Sequence, residues 1–117
     1  MILQVTEIND EAQDVIAQAT IIPQEASLAN ADAFKEEMIT LVASGTKLII
    51  VSFENVNYID SSFLGSLVVA LKHAMPRNVD IYLVALKPDV KSLLTLIRMD
   101  KVFKMFNTYE EAMEASK

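Results

Sequence analysis

An α/β domain on a mixed sheet is the fold class this sequence predicts, on three observations: β-rich segments flank a polar turn at the start, an uninterrupted apolar run follows a helical pattern, and strand and helix signals then alternate to the end. The expectation is a sheet of about five strands, an N-terminal hairpin with later strands parallel, and about four helices, all in one domain over residues 1–117.

Ile2 to Ile8 reads as a strand that enters the polar turn Asn9-Asp10-Glu11, and Val15 to Ile22 reads as its hairpin partner, stopped by Pro23. From Asn30 the period becomes helical: Phe34, Met38, Leu41 and Val42 share one face, Asn30 is placed to cap the start and Gly45 to end it. Lys47 to Phe53, centred on Leu48-Ile49-Ile50-Val51, has the apolar continuity of a strand covered on both faces. A polar connection leads to Ile59-Asp60-Ser61-Ser62 and a helix whose core stripe is expected to be Leu64, Leu67, Val68, Leu71 and Met75, closed by Pro76. Val79 to Leu86 is a further buried-strand pattern. Pro88 suits the first turn of a helix with Val90, Leu93, Leu94 and Ile97 inward. Val102 to Phe106 is the last strand, and Thr108 with Glu111 has the spacing of a capping box for a terminal helix.

Sixteen acidic against ten basic side chains give a net charge of -6, and no run of Lys or Arg breaks that balance, so direct nucleic-acid binding is disfavoured. Cysteine is absent, which removes disulfides and thiolate metal sites and fits a reducing compartment. His73 is the single histidine, so no histidine metal cluster is expected, and it is placed on the solvent side of its helix. No segment has the eighteen or so apolar residues of a membrane span and the start lacks a signal-peptide pattern, so the chain is expected to be soluble, unprocessed and cytoplasmic, with no direct membrane insertion. The six methionines are scattered as core fillers.

Tyr58-Ile59-Asp60-Ser61-Ser62-Phe63-Leu64-Gly65 carries the most information, because a strand ends, three polar side chains follow and an apolar helix starts at once. Free amides and the positive end of the helix dipole make such an entrance compatible with an anion, including a phosphate carried on a serine. Spacing alone also accommodates Asp60, Ser61 and Ser62 as ordinary capping residues. Serine hydrolysis is disfavoured, since the Gly-x-Ser-x-Gly elbow is missing and His73 faces away. A nucleotide-binding enzyme is disfavoured too, because Gly45 and Gly65 are the only glycines.

Asp60-Ser61-Ser62-x-Leu64-Gly65 resembles the Asp-Ser-Ser/Ala/Thr-Gly-Leu-Gly signature of the STAS domains in bacterial anti-sigma factor antagonists. The resemblance covers nearly the whole chain: the early hairpin, the Leu-Ile-Ile-Val strand, the stretch from Leu93-Leu94 through Met99-Asp100-Lys101-Val102-Phe103, and the Glu110-Glu111-Ala112 ending. It implies a non-catalytic, cofactor-free, phosphorylation-switched module. Ser61 is then the phosphoacceptor, with Ser62 as second choice, and Asp60 positions the serine for its kinase. It further implies that unphosphorylated chain binds an anti-sigma factor or serine kinase of the histidine-kinase-like ATPase fold and releases that partner's sigma factor or other client, with a PP2C-type phosphatase resetting the serine. Stand-alone STAS domains also serve as accessory subunits of membrane transporters for lipids or anions, the alternative implied.

Two positions depart from the family pattern. Phe63 stands where glycine is usual, and Ser27 where the Asp of a Gly-Glu-x-Asp turn is common. With Asp60, Ser61 and Ser62 they make up the expected partner-binding set. Phe63 is open to two readings: a core residue, or a partly exposed aromatic anchor beside Ser61. Gly65 is expected to allow close approach of its helix to a neighbour.

Overall fold

The computed structural model describes all 117 residues. Strands β1 (Leu3–Asn9) and β2 (Val15–Ile21) form the expected antiparallel hairpin, with Leu3 opposite Ile21 and Asn9 opposite Val15. The short strand β3 (Glu25–Ala26) follows, then helix α1 (Leu28–Ala43). Next come β4 (Leu48–Ser52), β5 (Tyr58–Ile59) and helix α2 (Ser61–Ala74). The chain ends with β6 (Asp80–Val84), α3 (Pro88–Leu96), β7 (Lys104–Phe106) and α4 (Tyr109–Ala115).

The main sheet has five strands in the order β1-β2-β4-β6-β7, with every pairing after the hairpin parallel. Alternation along the central strands divides the interior in two. Ala17, Ala19, Ile49, Val51, Ile81 and Leu83 face the larger core with residues of α1, α2 and α3, whereas Ile16, Leu48, Ile50, Tyr82 and Val84 meet Ala112 of α4 on the other face. This two-sided burial is why Leu48 to Val51 is apolar without interruption. Glu37 of α1 ties the hairpin edge to the helix layer, its carboxylate accepting from the amides of Ile2 (2.9 Å) and Leu3 (3.1 Å).

Several expectations are corrected. Helix α1 begins at Leu28, and its N-cap is Ser27 instead of Asn30, whose side-chain amide donates to Glu25 O at 2.7 Å. The buried stripe of α2 is Phe63, Ser66, Leu67, Ala70 and Ala74; of the expected stripe Leu67 is buried, Leu64, Val68 and Leu71 are half-buried and Met75 is 65% exposed, so the helix is turned by about one residue from the expectation. The cause is α1: the Phe63 ring packs on Phe34 with centroids 4.4 Å apart, and two alanines below it let the helices meet closely. Ile97 lies past the end of α3 and is exposed. A Cβ on Gly65 would meet nothing within 4 Å, so no neighbour requires that glycine, whereas Gly45, at φ +92°, does serve the turn that ends α1. Thr108 accepts from the Glu111 amide at 3.1 Å, but the return bond from the Glu111 side chain is not made.

Phe63→Ala is expected to cost about 3–5 kcal/mol in urea unfolding, as for a fully buried aromatic whose space cannot close. Gly65→Ala is expected to raise stability by about 0.5–1 kcal/mol in the same assay, because the added methyl meets nothing and the helix loses its most flexible residue.

Candidate functional site

A second, two-stranded sheet builds the site. Strands β3 and β5 pair in parallel, Glu25 beside Tyr58 and Ala26 beside Ile59, which brings the entrances of α1 and α2 together. The Asn57 amide donates to Gln24 O at 2.8 Å below this pair, and the Asp60 amide to Ala26 O at 3.0 Å above it.

Asp60 then does two things at once. Oδ1 accepts from the Phe63 amide at 3.0 Å, the N-cap bond of α2, while Oδ2 accepts from the Leu28 amide at 2.9 Å, in the first turn of α1. One carboxylate therefore caps two helices, its own and one whose first amide lies 32 residues away in sequence. The Phe63 amide holds its carboxyl below the usual carboxylate range; the Leu28 and Ser62 amides add to that effect, and partial desolvation opposes it.

Ser61 is the first residue of α2 and is exposed, and its Oγ makes no hydrogen bond within the chain. Ser62 follows, half-buried. Ser27 is the extended N-cap of α1, half-buried, with no side-chain capping bond of its own because Asp60 supplies that service from across the gap. The structure thus gathers Ser27, Asp60, Ser61 and Ser62 at one place. It does not add the Phe63 ring: that side chain is wholly buried, and the expectation of an exposed aromatic anchor there is overturned. Phe63 contributes its amide only.

Two residues were missed at this site. Leu28 is 73% exposed and Tyr58 is 55% exposed, the one bonded to Asp60 through its amide, the other two residues before it. Strand alternation held the signal for Tyr58, since Ile59 beside it points inward; nothing local marks Leu28. No cation is bonded to Asp60, and Lys87, whose Nζ donates to Asn57 Oδ1, reaches the neighbouring loop. The arrangement offers a free hydroxyl, a carboxylate fully engaged with backbone, and an exposed aliphatic and aromatic pair.

Residues 14–112 match the family model of the STAS domain. The chain belongs to the STAS family. A STAS-domain-containing protein of Pseudomonas aeruginosa is 33% identical over 64 residues, 55% of this chain, and the match spans 63% of that relative's own length. A Thermotoga maritima protein assigned as an anti-sigma factor antagonist superposes with a TM-score of 0.77 at 25% identity, over 95% of this chain and 92% of that one. The unphosphorylated form of the anti-sigma factor antagonist SpoIIAA gives a TM-score of 0.79 at 17% identity, over 97% and 95% of the two chains, and shares the fold. So does a sulfate transporter family protein from Wolinella succinogenes, at a TM-score of 0.77 and 14% identity over 92% and 87%. No helix of the STAS domain described here is long and apolar enough to cross a membrane.

The lowered pKa of Asp60 sets a pH dependence. A carboxylate whose folded-state pKa lies below its unfolded value stabilises the fold fully above about pH 4, and that contribution is lost as pH falls through the folded value. Urea midpoints measured on acidification should therefore fall more steeply for wild type than for Asp60→Asn, which is less stable at neutral pH and has no such charge to lose.

Proposed function

We propose that this STAS domain is an anti-sigma factor antagonist, a cytoplasmic protein-binding module switched by phosphorylation of Ser61. The supporting observation is the Ser61 hydroxyl itself: exposed, unbonded, and held at the mouth of α2 by a carboxylate that points the other way, into the backbone of both helices. A kinase can reach it without unfolding anything.

The unmodified chain binds an anti-sigma factor or switch serine kinase with a histidine-kinase-like ATPase fold, which then lets go of its sigma factor or other client. Leu28 and Tyr58 supply apolar contact on that surface, and Ser27, Asp60, Ser61 and Ser62 supply its polar part. ATP belongs to the partner and the return step to a PP2C-type phosphatase; the chain performs no chemistry, holds no cofactor and contacts neither nucleic acid nor lipid. A phosphate adds about -1.5 to -2 charges beside the Asp60 carboxylate, in a protein already at -6. Pressing that charge against an interface shaped for a neutral hydroxyl costs several kcal/mol, and each ~1.4 kcal/mol is tenfold in affinity.

Intact-mass measurement after incubation with ATP and extract of the source cell tests this reading. Wild type should gain one phosphate and Ser61→Ala none. Equal gain in both would remove Ser61 as sole acceptor, and gain in neither would favour the transporter accessory-subunit reading, in which the serine is not modified.

A further inference from the structure

The cations are distributed unevenly. Seven of the ten basic side chains but three of the sixteen acidic ones lie between Leu71 and Lys104, so this third of the chain is positive within a protein of net charge -6. The three ion pairs in the structure use Lys35, Lys47 and Lys117, all outside that stretch. None of its seven cations is in a salt bridge.

The same stretch encloses a groove of about 480 Å³ between the last turns of α2, the start of β6 and the edge strand β7. Its floor is Val79, Ile81 and Tyr82, its apolar rims are Leu71 with Met75 (65% exposed) on one side and Val102 (52% exposed) on the other, and its polar lining is Asn78, Lys101, Lys104 and one carboxylate, Asp80. Lys104 Nζ sits 5.6 Å over the Tyr82 ring, one face of the groove wall. On the adjoining turn, Leu96 is 79% and Ile97 40% exposed. Exposed apolar rims around a concave floor, bordered by cations that are in no salt bridge, are the features of a recognition surface.

We propose that this groove docks an acidic amphipathic segment of a protein partner, an apolar side chain of that segment lying between Met75 and Val102 and its carboxylates meeting Lys101 and Lys104. Concavity selects a peptide over a bilayer, whose flat surface would leave the floor unfilled. Charge does so as well: fields are screened beyond ~8 Å, so a short acidic segment meets chiefly Lys101 and Lys104 against the single carboxylate Asp80, whereas a bilayer would also meet the acidic remainder of the protein. Leu71 and Met75 lie about 15–21 Å along α2 from Ser61, so this surface is separate from the serine site and both can be occupied together.

The test pans a displayed library of short random peptides against the full chain, with counter-selection against the Lys101→Glu/Lys104→Glu double variant. Both lysines are exposed, and far-UV circular dichroism checks that the variants fold. Expected winners combine Asp and Glu with a large aliphatic or aromatic residue. They should bind wild type at least about tenfold more tightly than the double variant or Val102→Asp, and equally tightly to Ser61→Glu. The proposal is overturned if no sequence is enriched, or if enriched peptides ignore both substitutions. It is also overturned if phosphatidylglycerol vesicles, and no peptide, bind in a manner lost in the same variants, which would make the surface a membrane contact.

Discussion

Everything at the functional end of this domain hangs from the two oxygens of Asp60. One is spent on the first turn of α2 and the other on the first turn of α1, while the Asp60 amide is tied to the end of β3. A carboxylate with both oxygens taken by backbone donors has little freedom to rotate, and the residue after it inherits that rigidity. Ser61 is therefore presented at a defined angle by a residue that is itself part of the scaffold. Candidate site and fold meet in one side chain: the residue before Ser61 is also the one that joins the two helices.

The burial pattern of α2 follows from the same geometry. Once its first turn is fixed beside α1, Phe63 must enter the core against Phe34, and Leu67, Ala70 and Ala74 follow at helical spacing. The opposite face is left to solvent along the whole length. Its two ends differ in character, the entrance carrying Asp60 and the exit carrying Lys72 and His73, with Arg77 in the turn that follows.

Periodicity and continuity are properties of neighbours in sequence, and the elements that depend on them were legible. Leu48 to Val51 had to be a central strand, Pro88 had to open α3, and the hairpin was marked by its polar turn. The Asp60-Ser61-Ser62 entrance was legible for the same reason. What escaped depends on partners far along the chain. Two-residue strands such as β3 and β5 have no period to detect, and the true start of α1 is set by an oxygen 32 residues away. The rotation of α2 could not be read because both candidate stripes are apolar, and only contact with Phe34 decides between them. Of the two readings of Phe63 the core one holds, and the exposed pair Leu28 and Tyr58 went unnoticed.

Gly65 has a consequence outside the protein. It lies one helical turn beyond Ser61 on the outward side, and the interior makes no demand on it. An interior helical glycine sacrifices about 1 kcal/mol relative to alanine. In exchange, the backbone of α2 is left bare of a side chain one turn behind the hydroxyl, opening peptide groups to solvent there.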